Sequence, residues 1–252
     1  MMPRPSRIQF LATCLVDLFS PSVGHAAVAV LERLGLQVDV VPDQTCCGQP
    51  AFNGGFFEEA AEMARHTIDV LSRTADPVVV PSGSCADMIV THYPELFADD
   101  PVYGPKARDL AARTYEFSQF LVDVLGVDLP AAPAGPALAY HASCHGLRGL
   151  GLREQPRRVL GAVTGERCRD LPDAEVCCGF GGLFAVKMGP VSSAMLESKL
   201  DAIDASGADV VVATDVACLM HIGGGLHRRG SRTRTRHIAE VVADAFEETS
   251  RG

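Results

Sequence analysis

The residues best suited to chemistry in this 252-residue chain are its cysteines, which form two similar sets. The doublet Cys46-Cys47 and the doublet Cys177-Cys178 are each followed by glycine, and each lies between two single cysteines. The first set is Cys14, Cys46, Cys47 and Cys85, and the second set is Cys144, Cys177, Cys178 and Cys218. Corresponding cysteines are offset by 130, 131, 131 and 133 residues, a register that predicts an internal duplication.

Each set supplies four thiolates, the usual ligand number of an iron–sulfur cluster or a tetrahedral zinc ion. Structural zinc sites usually contain short C-x₂₋₄-C hooks, and the chain has none. Disulfide scaffolds are short and poor in core residues, whereas this chain is 47% hydrophobic. We therefore predict an iron–sulfur cluster held by each set. Zinc is the alternative for the second set, because His141 and His145 flank Cys144 and His221 follows Cys218 by three residues.

The remaining cysteine and two glycines have simpler interpretations. Cys168 lies outside both sets, and we predict a buried core residue in a central strand. Gly48 and Gly179, directly after the doublets, are expected to let the backbone approach the sulfur atoms closely.

The alternation of predicted strands and helices explains how distant cysteines meet. In each half, three apolar runs alternate with segments of helical periodicity, which predicts a parallel sheet. The predicted strands are 8–13, 38–41 and 77–81, then 137–141, 167–171 and 208–214. A cysteine or doublet follows each strand, and the carboxyl ends of parallel strands share one edge, so each set should converge there.

The sequence thus predicts an α/β fold of two tandem Rossmann-like parallel-sheet repeats related by internal duplication. We place the first cysteine-rich repeat at residues 1–127 and the second at residues 137–252. Residues 128–136 are rich in proline and alanine and lack periodicity, which is typical of a linker.

Composition and charge exclude several classes of partner. The net charge is −9 and tryptophan is absent, so neither a basic face nor a base-stacking platform for nucleic acid is expected. No stretch reaches the roughly 18 uninterrupted apolar residues of a membrane-spanning helix. No targeting segment is recognised either, and we expect a cytoplasmic protein without a transmembrane segment.

Several motifs resemble the duplicated cysteine-rich CCG module of heterodisulfide reductase and of the iron–sulfur subunits of glycolate oxidase and anaerobic glycerol-3-phosphate dehydrogenase. The resemblance to the lactate utilization protein A family is closer and covers nearly the whole chain. The segments that carry it are 45–53 (TCCGQPAFN), 81–85 (PSGSC), 140–145 (YHASCH), 177–182 (CCGFGG) and 218–221 (CLMH).

The resemblance implies an iron–sulfur electron-transfer subunit of an L-lactate-oxidising complex, an oxidoreductase that forms pyruvate. The implied partners are other iron–sulfur subunits of a three-protein system and, indirectly or at an interface, a small 2-hydroxy acid. In the heterodisulfide reductase branch, five thiolates per copy hold a non-cubane cluster. Here Ser82 and Asp215 precede the last cysteines by three residues, and Met88 and His221 follow them by three, so neither copy has a fifth thiol. An ordinary [4Fe–4S] cluster on four cysteines is therefore expected.

Three other functions are compatible with the cysteine pattern. The first is a zinc-stapled assembly subunit. The second is an iron–sulfur subunit of a glycolate-oxidase-like or heterodisulfide-reductase-like complex, and the third is a thiol–disulfide enzyme that uses the vicinal cysteines directly. Iron, sulfide and zinc analysis separates the first of these from an electron carrier.

Overall fold

The two halves contain parallel β-sheets of the same design. The structure, a computed structural model, describes residues 4–132 and 134–251. The first sheet has strand order β2-β1-β3-β4, the second has order β6-β5-β7-β8, and all neighbouring strands are parallel. The strands are β1 Arg7–Phe10, β2 Gln37–Val40, β3 Val78–Val80, β4 Thr114–Glu116, β5 Leu138–Tyr140, β6 Cys168–Asp170, β7 Val210–Ala213 and β8 Arg234–His237.

The predicted fold of two parallel-sheet α/β repeats is confirmed, with one extension. Each sheet has four strands, because a short strand (β4 or β8) precedes the last helix of each half. The predicted limits of the two repeats and the linker remain predictions, and residues 1–3, 133 and 252 within them lie outside the described residues.

The strand order places the cysteines at a characteristic point of each sheet. In the first sheet the chain runs from β1 outward to β2 and then returns to the other side of β1 with β3. Parallel α/β sheets bind ligands in the crevice outside the carboxyl ends of the strands, at the point where the strand order reverses in this way. The second sheet repeats this order around β5.

Helices pack between and around the sheets. The α-helices are α1 Cys14–Phe19, α2 Pro21–Arg33, α3 Gln49–Asn53, α4 Phe57–Leu71, α5 Gly83–Asp87, α6 Tyr93–Leu96, α7 Tyr103–Ala112, α8 Phe117–Gln119, α9 Gln155–Thr164, α10 Leu183–Lys187, α11 Gly189–Ser206, α12 Val216–Arg228 and α13 Ile238–Arg251. The described residues also form three π-helical segments, Met88–His92, Phe120–Leu125 and His145–Gly149, and one 3₁₀ turn, Gly165–Arg167. The buried residues of α2 recur at Val23, Ala27, Val30 and Leu31, the period of a one-sided helix.

One hydrophobic core joins the two halves. It contains Phe10 and Leu31 from the first sheet region together with Tyr140, Val212 and Val242 from the second. The helix contacts that build it are reciprocal: α2 of the first half packs on α13, and α9 of the second half packs on α8 and the π segment after it. The relative position of the sheets therefore rests on a shared apolar interior.

Two expectations for single features have different outcomes. No helix among the described residues is long and apolar enough to cross a membrane. The prediction for Cys168 was wrong, since β6 is an edge strand and its cysteine is only half-buried. The apolar run around it is short, and the sheet continues on only one side of the strand.

A buried carboxyl group caps the helix that follows β4. Glu116 Oε2 accepts hydrogen bonds from the backbone N–H groups of Ser118 (2.8 Å) and Gln119 (3.1 Å) and from the Ser118 hydroxyl. Gln119 Oε1 in turn accepts from the Glu116 N–H, which completes a capping box. Glu116 is fully buried, and this burial raises its pKa from 4.5 to about 7.

This raised pKa predicts a pH-dependent stability. Below pH 4.5 Glu116 is protonated in both the folded and the unfolded protein. Between pH 4.5 and about 7 it is ionised in the unfolded chain but still protonated in the folded protein. The free energy of unfolding should therefore fall by about 3 kcal/mol across that window. We expect Glu116→Gln to lack this loss, so that urea unfolding of variant and wild type diverges as the pH rises. Parallel pH profiles for the two proteins would contradict this prediction.

Candidate metal centre

The structure gathers the first thiol set at the carboxyl edge of the first sheet. Cys14 begins α1 just after β1, the Cys46-Cys47 doublet lies in the loop after β2, and Cys85 lies in the first turn of α5 after β3. The sulfur atoms form a continuous series of hydrogen-bond contacts, from Cys14 to Cys46, from Cys46 to Cys47 and from Cys47 to Cys85. Residues 71 positions apart in the chain thus share one site.

The second thiol set repeats this arrangement in the second sheet. The Sγ atoms of Cys144 and Cys177 are 3.9 Å apart, and the contacts continue to Cys178 and then to Cys218. Cys218 lies in the first turn of α12, as Cys85 does in α5. The predicted convergence of distant cysteines is therefore present twice.

The packing of the sulfur atoms favours a negative charge on one cysteine of each doublet. Hydrogen bonds from Cys14, Cys47 and the Gly48 N–H lower the pKa of Cys46, and the contact raises the pKa of Cys14. Cys177 is the counterpart: Cys144, Cys178 and the Gly179 N–H, at 3.4 Å, lower its pKa. Thiolates rather than thiols bind metals, so this environment suits metal binding.

The glycine after each doublet is required by the backbone. Gly48 and Gly179 have φ values of 86° and 88°, in the left-handed region that favours glycine. A Cβ atom at Gly179 would lie 2.8 Å from the Ser192 carbonyl oxygen, and one at Gly48 would lie 3.2 Å from that of Ala60. These glycines allow each doublet loop to lie directly on the helix behind it.

Both thiol sets line the same cavity between the halves. All eight cysteines border it, and its cavity volume is about 160 Å³. Among the lining side chains that the structure describes, His145 and Asp215 are the ionisable groups other than the thiols. The sequence register alone did not reveal that the sets face each other.

Asp215 links the halves beside this cavity. Its Oδ2 accepts hydrogen bonds from the Ser84 N–H (2.8 Å) and the Ser82 hydroxyl (3.4 Å) of the first half. Its Oδ1 accepts from the Ala217 N–H at 3.1 Å and caps α12. Ser82 caps α5 in the same way by accepting from the Cys85 N–H. The two caps are equivalent positions of the duplication, and they touch.

Two of the three histidines near the second thiol set in the sequence, His145 and His221, have protein partners. His145 Nδ1 lies 2.6 Å from Asp87 Oδ2, and its Nε2 lies 3.2 Å from Gln49 Nε2. The hydrogen bond to Asp87 raises the pKa of His145. His221 Nε2 lies 3.5 Å from the Ser192 hydroxyl. Whether either ring binds a metal stays a prediction.

The third of these histidines, His141, lies against the second thiol set. His141 follows β5 and is fully buried, and a ligand nitrogen of its ring and the sulfurs of Cys178 and Cys218 all lie within 4.8 Å of one another. Neither ring nitrogen has a hydrogen-bond partner among the described residues. Burial lowers its pKa to about 3, so the ring is neutral. A buried polar group without a partner is costly, and a metal centre on the adjacent sulfurs would supply one.

The donor chemistry of both sites fits a metal centre. Grouped thiolates with adjacent backbone N–H groups suit iron–sulfur clusters and zinc alike. The unpartnered nitrogens of His141 point to an additional group in the second site. The cysteine clusters thus indicate metal binding.

The comparisons agree with this arrangement. The family model for the CCG cysteine-rich domain matches the chain twice, at residues 8–90 and 138–223. Lactate utilization protein A of Bacillus cereus (strain G9842) is 46% identical over 237 residues, which cover 94% of this chain and 98% of that protein.

The chain belongs to the lactate utilization protein A family. A second member, from Geobacillus kaustophilus (strain HTA426), is 47% identical over 236 residues, covering 94% of this chain and 98% of that protein. Among solved structures, a hypothetical protein from Helicobacter pylori matches with a TM-score of 0.67 at 12% identity. That match covers 96% of this chain and 49% of the other, and it supports the fold alone.

Proposed function

We propose that this protein is an iron–sulfur electron-transfer subunit of an L-lactate-oxidising complex. The observation that carries the proposal is the convergence of four thiols in each half at the edge of one common cavity. Cys14, Cys46, Cys47 and Cys85 would hold one [4Fe–4S] cluster, and Cys144, Cys177, Cys178 and Cys218 a second. Such a cluster, when bound, accepts and returns single electrons.

The groups around the sulfurs exclude water from them and direct hydrogen bonds at one cysteine of each doublet. Cys47 and Cys178 are almost fully buried, and the Tyr93 hydroxyl donates a 2.8 Å hydrogen bond to the Cys47 carbonyl. Backbone N–H groups of Gly48 and Gly179 are directed at the sulfurs of Cys46 and Cys177. Hydrogen bonds of this kind adjust the potential of an iron–sulfur cluster.

The cavity favours a relay over direct oxidation of the acid. A 2-hydroxy acid is a carboxylate, and proteins usually bind carboxylates with arginine or lysine. Among the described lining residues there is neither, while Asp215 and the thiolates contribute negative charge. We therefore assign oxidation of the acid to a partner subunit and electron transport to this chain. The family name of its relatives supports lactate as that acid.

A mixed cysteine–histidine zinc site in the second half is the second candidate. The proximity of His141 to Cys178 and Cys218 favours it, because neutral imidazole and thiolate are common zinc ligands. In that case the second half stabilises the complex and only the first carries electrons.

Anaerobic purification followed by iron, acid-labile sulfide and zinc analysis tests the proposal. We expect about eight irons and eight sulfides per chain, and an electron paramagnetic resonance signal after reduction with dithionite. L-lactate alone should leave the protein oxidised, whereas L-lactate together with the partner subunits should reduce it. Glycolate serves as the matched substrate control. A colourless protein that contains only zinc would rule out the relay.

A further inference from the structure

The second half contains a buried lysine near its thiol set, whereas no lysine or arginine of the first half is buried among the residues that the structure describes. Lys199 of α11 is only 1% exposed, and its ammonium group donates one hydrogen bond, of 2.9 Å, to the Asp173 carbonyl oxygen. No carboxylate lies within ion-pair distance of it among the residues that the structure describes. A buried charge without a counter-charge is expensive, so this lysine requires a negative neighbour.

The packing of α11 identifies that neighbour. Lys199 shares the buried face of the helix with Leu196, Leu200 and Ile203, which pack in one cluster with Cys178 and Cys218. Burial lowers the pKa of Lys199, and the negative potential of the Cys178 sulfur acts most strongly in the opposite direction. The Asp173 carboxylate adds to this effect, and so do Cys177 and Cys218.

The duplication supplies an internal comparison. The buried positions of α4 in the first half include Ala60, Ala64, Thr67, Ile68 and Leu71, and those of α11 are Ser192, Leu196, Lys199, Leu200 and Ile203. Each pair is offset by 132 residues, and Ala60 and Ser192 face the glycines of the two doublets in the same way. The neutral Thr67 is therefore the counterpart of Lys199.

The hydrogen bond from Lys199 to the loop before the doublet has a counterpart in the first half, and a residue on the surface makes it. The Asp43 carbonyl in the first half is equivalent to the Asp173 carbonyl, since both residues have positive φ and precede the doublet loops. The exposed His66 ring lies 2.8 Å from the Asp43 carbonyl oxygen. The first half thus secures its loop without a buried cation, so loop support alone does not account for Lys199.

We propose that Lys199 is the counter-charge of the second thiol set and raises the reduction potential of the centre bound there. This inference rests on the proposed iron–sulfur function. Reduction by one electron, supplied by a reduced partner subunit, makes a thiolate-bound cluster more negative, and a nearby buried cation stabilises that state. Asp215 opposes the effect, but its charge is distributed over hydrogen bonds from Ser84, Ser82 and Ala217. Lys199 is a positioning residue for charge and is not a ligand.

The test is a potentiometric titration of the whole chain with dithionite, monitored by electron paramagnetic resonance. Cys47→Ser and Cys178→Ser assign the signals to the two halves. We expect Lys199→Met and Lys199→Gln to shift the oxidised-to-reduced ratio of the second centre at least tenfold toward oxidised, about 59 mV for a one-electron couple. The first centre should not move. Lys199→Gln retains a hydrogen-bond donor, and Lys199→Arg should keep most of the wild-type potential.

Matched variants of the first half separate charge from packing. Thr67→Val at the equivalent helix position and His66→Ala at the equivalent hydrogen bond should leave both potentials unchanged. Loss of the second cluster in the Met and Gln variants, with retention in the Arg variant, would also support a counter-charge. An unchanged second potential in Lys199→Gln, or loss of the cluster in the Arg variant as well, overturns the inference. A wild-type chain with iron in the first half only would overturn the proposed function of the second half, and this inference with it.

Discussion

Cys47→Ser is expected to remove about half of the protein's iron, from about eight atoms to about four, and Cys178→Ser is expected to remove the other half. A serine hydroxyl is a much poorer ligand for cluster iron than a cysteine thiolate, so the centre loses a ligand at its buried side. Both cysteines are almost fully buried at matching places of the duplication. The two losses should therefore be similar in size and should add in the double variant.

Cys168 provides the matched control for these substitutions. It is half-buried on an edge strand outside both sets, and burial raises its pKa to about 12, which keeps it a thiol. Cys168→Ser should leave the iron and sulfide content unchanged. Iron loss in Cys168→Ser, or full iron content in Cys47→Ser, would refute the ligand assignment. The measurement is metal and acid-labile sulfide analysis of anaerobically purified protein.

Asp215→Ala is expected to reduce the free energy of unfolding by about 3 kcal/mol, because it removes a charged acceptor, the cap of α12 and the link between the halves. The Ser84 N–H would lose its 2.8 Å hydrogen bond in a part-buried position. Asp215→Asn keeps an acceptor oxygen but not the charge, so its free energy of unfolding should fall by about half as much.

Asp209 is the control for this effect. Its carboxylate accepts a 3.0 Å hydrogen bond from the Ala137 N–H at an exposed position of the second half. Asp209→Ala should cost about 0.5 kcal/mol, since water replaces the lost acceptor. Urea unfolding under anaerobic conditions gives all three values. An equal loss for Asp209→Ala and Asp215→Ala would show that the contact between the caps contributes nothing of its own.

The sequence was sufficient to predict each thiol set but not their mutual position. Cys14, the doublet at Cys46 and Cys85 each follow a strand, and parallel topology alone brings such residues to one edge. The register of the two copies contains no information about how the sheets face each other. That depends on α2 packing on α13 and α9 packing on α8, and helical periodicity indicates an apolar face without indicating its partner.

Buried polar residues were also beyond sequence reasoning. Lys199 occupies a position of α11 between Leu196 and Ile203, where a lysine usually extends its charged end to water. Its burial depends on how α11 packs in the second half, where its neighbours Leu196, Leu200 and Ile203 share a cluster with Cys178 and Cys218. His141 was recognised beside Cys144, but its lack of partners became visible only when its surroundings were placed. Sequence periodicity indicates which residues face the interior, but it does not indicate which residues they contact there.

The reciprocal packing of α2 on α13 and of α9 on α8 has a consequence for the origin of the protein. Each copy covers the other with equivalent helices, which is the geometry of a self-complementary twofold dimer. An ancestor with one copy could have buried these apolar faces by associating with itself. Fusion of two such genes would preserve that contact and make it independent of concentration. The fused copies were then able to diverge, so that a threonine in one copy corresponds to a lysine at the same place in the other.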